Sequence, residues 1–181
     1  MKIEKALIQI LLLQRAEVFY YKNNIIVFSG TQNIKDVICD INIIPRKWPK
    51  EKDHRVHGGF SLRTERLMYK IQDFIERNDN FIIAGHSLGG SCAILCASEL
   101  KRRGKHINAV YTFGGPKMAT KDFVDYYRSQ CLWDKTYNYV TPNDIVVKIP
   151  LYRPVGKNII LNFEEKNGII SHDLNTYMDA I

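Results

Sequence analysis

The sequence predicts an α/β protein, a mostly parallel sheet covered by helices on both faces. Two observations carry this reading. Short, near-continuous apolar runs such as "NIIVFSG", "NFIIAG" and "INAVYTF" read as strands buried on both sides, and stretches of helical periodicity alternate with them. A third observation bounds it: 181 residues without internal repeat, low-complexity tract or linker fit one domain, 1–181, able to bury a continuous core without staples.

Taken in order, "ALIQILLL" (6–13) is an amphipathic first helix. As a secretory leader it fails, because Glu4 precedes it, Gln9 interrupts it and no small-residue cleavage site follows. It is also far too short to span a membrane, so no transmembrane segment is expected. "EVFYY" and "NIIVFSG" are strands joined by the polar turn "KNN". Ile34, Val37, Ile38 and Ile41 recur at helical spacing and predict a short amphipathic helix. Two prolines and dense charge in "PRKWPKEKDHR" (45–55) predict a surface loop, and Leu67, Met68, Ile71, Phe74 and Ile75 mark one face of a helix over 60–77. A strand (80–85), a helix (88–103) and a strand (107–113) follow. "GGP" breaks the chain before a helix over 117–129. Then come a strand (136–141), a hairpin from "LYRPV" and "NIILNF", and a last helix from 173.

The net charge of +7 admits transient attraction to an anionic lipid surface, but its densest run, "KRRGKH" (101–106), has a local explanation. Cations there complement a helix C-terminus that Gly104 caps, and no nucleic-acid-binding pattern accompanies them, so nucleic-acid binding is not expected. Cys39, Cys92, Cys96 and Cys131 form no CxxC pair. With neither a disulfide framework nor a leader, a cytoplasmic location is expected, with release by lysis or non-classical export as the exceptions.

The chemistry centres on "GHSLG", residues 85–89. A strand precedes it and a helix follows, the context of a G-x-S-x-G nucleophile elbow that lifts the Ser87 hydroxyl above a strand end. As a bare turn, Ser87 would simply cap the helix. A serine nucleophile needs a base and the base an orienting acid, in the chain order Ser, Asp or Glu, His. Downstream lie only His106, at the wrong edge of the sheet, and His172, in a loop entering the last helix. The acid is one of Asp122, Asp125, Asp134 or Asp144. Asp122 and Asp125 read as solvated helix charges and Asp134 as part of an exposed connection. Asp144, at a strand's end after Pro142, is the best placed. An oxyanion hole is expected from the Leu88 N–H and from Thr31 in the loop "FSGTQN". Asp53, His54 and His57 have a D-H-x-x-H spacing that zinc would accept, but no metal or other cofactor is expected.

Together "VFSGTQNIKDVICDI", "VHGGF", "GHSLGGSCAIL", "YTFGGPKM", "PNDIVVKIP" and "SHDLNTYM" resemble the class 3 lipases, the fungal triacylglycerol lipase family, in order over nearly the whole chain. The resemblance implies an α/β-hydrolase fold and hydrolysis of acyl esters, of glycerolipids above all, through Ser87, Asp144 and His172. It sets Thr31 and Leu88 at the oxyanion positions and makes His57 structural. The pattern departs at Ser29, where the family reads "FRGT", and at "FGGPKMAT". Asp144 and His172 stand only 28 residues apart, which leaves room for a minimal lid or cap and implies an open site. The family's lid matches Ile34 to Ile41, whose apolar face either covers the site or packs in the core. Two other functions fit the same residues: a silent lipid- or protein-binding scaffold, and an acyltransferase. The oligomeric state is not written in the chain.

Overall fold

The computed structural model describes residues 2–13, 17–21, 24–30, 44–49, 52–148, 152–162 and 170–181. Thr31 and the predicted helix carrying Ile34, Val37, Ile38 and Ile41 lie outside the described residues, so the minimal lid is not tested there.

The strand runs of the sequence become a six-stranded sheet ordered β1 (Val18–Tyr21), β2 (Ile25–Phe28), β5 (Asn80–His86), β6 (His106–Phe113), β7 (Thr136–Val140) and β8 (Lys157–Ile160). Only the outermost strand, β1, runs antiparallel to its neighbour; the rest are parallel. Period-2 alternation sends the apolar side chains to opposite faces. Ile26, Phe28, Phe81, Ile83 and Val110 meet one core, which α2 (Gly58–Lys70), α4 (Leu88–Arg102) and α5 (Lys121–Ser129) complete. Val27, Ala84, Tyr111, Phe113 and Tyr139 meet a second core, covered by α1 (Ile3–Leu13) and α6 (Leu174–Ala180). Burial on both faces is why these strands lack a polar side, and the expected α/β layering is what the molecule has. Among the described residues no helix is long and apolar enough to cross a membrane.

Several boundaries differ from expectation. The loop expected over 45–55 contains a two-stranded sheet, β3 (Pro45–Lys47) with β4 (Arg55–His57). The long helix divides at Ile71, whose backbone (φ −116, ψ 19) leaves the helical basin before α3 (Gln72–Glu76). The helix expected from 117 begins at Lys121, because Ala119 is held in bridges to Val56 and Arg153. Those bridges also replace the expected hairpin: Arg153 pairs with Ala119, and β8 joins β7 in parallel. A buried polar ladder fixes that arrangement. The Thr112 hydroxyl donates to Asn138 Oδ1 at 2.8 Å, and Asn138 Nδ2 donates to the Val155 carbonyl at 2.6 Å.

The basic run is accounted for locally. Arg102 and Arg103 both bind the buried Glu99, Lys105 pairs with Asp79, and Gly104 takes a left-handed φ of 81°. Cys92 and Cys96 lie buried on α4, where desolvation raises the pKa of both thiols; Cys131 is exposed.

Because Leu7 is fully buried in the second core, the first helix is part of the fold. Leu7→Ala is expected to lower stability by about 2–5 kcal/mol, read by urea denaturation.

Candidate active site

The carboxyl ends of β5, β6 and β7 and the turn before α6 converge on one point. At the end of β5, Ser87 adopts φ 54 and ψ −130, a left-handed backbone that side chains disfavour. The flanking glycines explain how the chain tolerates it. A Cβ on Gly85 would lie 2.1 Å from the Gly89 carbonyl oxygen, and one on Gly89 would lie 2.1 Å from the Phe28 carbonyl oxygen. Helix α4 therefore starts in direct backbone contact with β2 and β5. The Ser87 N–H is fixed to the Phe113 carbonyl at 2.9 Å. Its hydroxyl does not cap α4, so the helix-cap alternative fails. Leu88 is the first residue of that helix, and its N–H has no partner within the helix. The backbone leaving β2 passes close by, since a Cβ on Gly30 would sit 2.9 Å from Ser87 Cβ.

Asp144 and His172 meet as their spacing suggested. The turn after β7 closes by a bond from the Asp144 N–H to the Thr141 carbonyl, 3.2 Å. Fully buried, Asp144 accepts the Val146 N–H on Oδ1 at 2.8 Å and the His172 Nδ1–H on Oδ2 at 2.7 Å. That bond makes Nδ1 the protonated nitrogen of the neutral ring and leaves Nε2 as the basic lone pair. The turn carrying His172 (Ile170–His172) is held from two sides. Thr141 Oγ1 donates to the Ser171 carbonyl at 3.0 Å, and His86 Nε2 donates to the His172 carbonyl at 2.8 Å.

Ser87 Oγ and His172 Nε2 are both buried and have no hydrogen-bond partner among the described residues, so the bond between them is not made in this structure. Ser87, Asp144 and His172 are each 1% exposed or less. The open site implied by the short Asp–His spacing turns on the segment around residues 34–41, which lies outside the described residues.

The rejected acids have other work. Asp122 accepts the Arg55 N–H, Asp125 pairs with Lys121, and Asp134 pairs with Lys157. His106 is exposed at the opposite end of its strand. Asp53, His54 and His57 do not converge: Asp53 pairs with Lys47, while His54 stacks on Tyr126 and His57 on Phe60.

Three participants escaped sequence reasoning. His86 occupies the unspecified second position of the elbow. Tyr177 donates its hydroxyl to Asp144 Oδ2 at 2.6 Å. Burial and that neighbouring carboxylate raise the phenol's pKa, so it stays a donor. Gly114, at φ 60, lies beneath them, and a Cβ there would fall 2.6 Å from Asp144 Oδ2, 2.9 Å from the Tyr177 hydroxyl and 3.0 Å from His172 Nδ1. "FGGP" hinted at Gly114 only as a turn.

A family model described as Lipase (class 3) matches residues 25–153. The chain belongs to the class 3 lipases. It is 31% identical over 137 residues to a lipase of Rhizomucor miehei, an alignment covering 69% of this chain and 37% of that protein. A solved propeptide complex of the Rhizomucor miehei lipase superposes with a TM-score of 0.66 at 25% identity, over 81% of this chain and 51% of the other. A solved triacylglycerol lipase, whose catalytic centre is described as a serine protease triad, has a TM-score of 0.63 at 26% identity, covering 77% of this chain and 57% of that one. The chain thus has the α/β-hydrolase fold and spans about half the length of these relatives or less. The cytoplasmic location expected above is overturned. These lipase relatives include a Penicillium cyclopium protein named a secreted mono- and diacylglycerol lipase, 21% identical over 133 residues (70% of this chain, 43% of that protein), and they point outside the cell. The lack of a disulfide framework in the cysteine spacing misled because a core of this size needs none in either compartment.

Desolvation lowers His57 and His86 to about 4, so both stay neutral in the fold, whereas in the unfolded chain they titrate near 6.5. Below that value the unfolded state binds more protons. Stability is therefore expected to fall as pH drops from about 6.5 towards 4, by roughly 1–2 kcal/mol per histidine at pH 5. Denaturant midpoints at pH 7 and pH 5 measure this, and replacing either histidine with a non-titrating residue should reduce the slope.

Proposed function

We propose that this chain is a serine carboxylic-ester hydrolase acting on acyl esters of the glycerolipid kind, with Ser87 as nucleophile, His172 as base and acid, and Asp144 as orienting acid. The observation that carries the reading is the buried 2.7 Å His172–Asp144 bond beside a serine whose strained backbone caps nothing. A serine hydroxyl is a poor nucleophile until a base takes its proton. On rotation of the hydroxyl toward His172, Nε2 accepts its proton as Oγ attacks the ester carbonyl; such contacts are often long before substrate binds. Asp144 offsets the positive charge that forms on the ring. The imidazolium then protonates the departing alcohol, and water repeats the cycle on the acyl-enzyme.

The tetrahedral oxyanion needs donors set before the charge appears. The Leu88 N–H, at the positive end of α4, is one. Thr31 is the second, because Gly30 brings the chain leaving β2 against Ser87. Side chains and backbone suffice for every step. Elements from β2 to α6 contribute to the one site, which supports reading 1–181 as a single catalytic domain. The names of the relatives support acylglycerols as the substrate class and action outside the cell.

Ser87→Ala is expected to lower turnover by about 10⁶-fold on an ester panel running from acetyl upward and including phospholipid. A fluorophosphonate should label the wild type at Ser87 alone. A variant keeping most of its activity, or a wild type that does not label, would overturn the reading.

A further inference from the structure

Asp144 Oδ2 serves two donors at once, the His172 Nδ1–H at 2.7 Å and the Tyr177 hydroxyl at 2.6 Å, while Oδ1 is taken by the Val146 N–H at 2.8 Å. We infer that Tyr177 is a positioning residue that sets the proton affinity of His172 by sharing the Asp144 oxygen on which His172 rests. The inference builds on the hydrolase reading above and goes beyond it, since the acyl-transfer steps do not use the phenol.

Three features support it. The Tyr177 ring is fully buried in the second core and meets Phe113 and His86 edge-on, with centroids 6.3 Å away in each case, so its packing requires only the ring. The hydroxyl is the part a phenylalanine would lack, and it is directed at the carboxylate. Next, Gly114 has no side chain to keep Asp144, His172 and Tyr177 apart, so the three polar groups converge over bare backbone. Finally, the phenol stays protonated beside the carboxylate, so it donates at any working pH.

The sign of the effect follows. A carboxylate already holding a phenol proton attracts the imidazolium less than one without it, so Tyr177 keeps His172 less basic than Asp144 alone would. Removing the hydroxyl makes His172 more basic and frees Oδ2 to swing. Among the described residues, the other titratable groups facing the pair are His86, whose side chain comes from β5, and Asp173, which caps α6. His86 remains neutral until about pH 4, so it does not contribute to a limb set by His172.

The test compares wild type, Tyr177→Phe and a protein carrying 3-fluorotyrosine at position 177, whose more acidic hydroxyl is a stronger donor. Each is followed from pH 4.5 to 9 by fluorophosphonate inactivation and by kcat and KM on a short-chain ester. For Tyr177→Phe, kcat should fall roughly tenfold with KM unchanged. The acid limb of inactivation and of kcat/KM should move up by about half a pH unit. Fluorotyrosine should move that limb the other way. A purely structural tyrosine would leave the limb in place in both variants, and that result overturns the inference. If Tyr177→Phe does not fold, the fluorotyrosine protein decides alone, an unmoved limb overturning it. A wild type that fails to label removes the hydrolase reading instead, so the two failures are distinguishable.

Discussion

The contact between the first turn of α4 and the carboxyl end of β2 is the constraint on which the site's geometry depends. Gly89 lets the Phe28 carbonyl approach to where any side chain would stand, and Gly85 does the same for the Gly89 carbonyl. With helix and strands this close, the chain between them has no room to relax, and Ser87 is left in its left-handed turn. The strain of about 1–3 kcal/mol usual for such a residue is sustained by a buried parallel sheet on either side. The same close approach carries the backbone at Gly30 across the serine. One steric fact thus sets the hydroxyl, the helix N-terminus behind it and the approach of Gly30.

From the opposite side the site is built by hydrogen bonds. Thr141 and His86 each hold a carbonyl of the turn carrying His172, and Asp144 is held by the turn after β7. His86 links the two halves, because it precedes Ser87 on β5 and its ring lies 4.8 Å from that of His172. The half built by backbone packing is unforgiving of added volume. The half built by polar contacts depends on protonation, and its histidine and tyrosine stay neutral because they are desolvated.

Some of this was legible in the chain and some was not, for identifiable reasons. The two-sided apolar runs made the parallel sheet readable, and "GHSLG" between a strand and a helix made the elbow readable, because both signals are local. Asp144 and His172 could be chosen by elimination, since chain order and position at a strand's end left few candidates. Lateral contacts were illegible. Nothing in "GGPKMAT" says that Ala119 will bridge both Val56 and Arg153, and those bridges shortened α5 and replaced a hairpin. Nothing in "DLNTYM" says that the phenol reaches Asp144, 33 residues away in the chain. The location was misjudged because a folded domain carries little record of the compartment it works in.

That last point returns to the cysteines. A sulfhydryl reacts with oxidants and electrophiles as its anion, and α4 keeps Cys92 and Cys96 from forming one. One helical turn apart and buried, both pack into the first core. Burial, not pairing, is what shields them from oxidants. Cys131, at the surface just past α5, has no such shelter. Of the cysteines among the described residues, it is the one whose sulfur solvent and a second chain can reach.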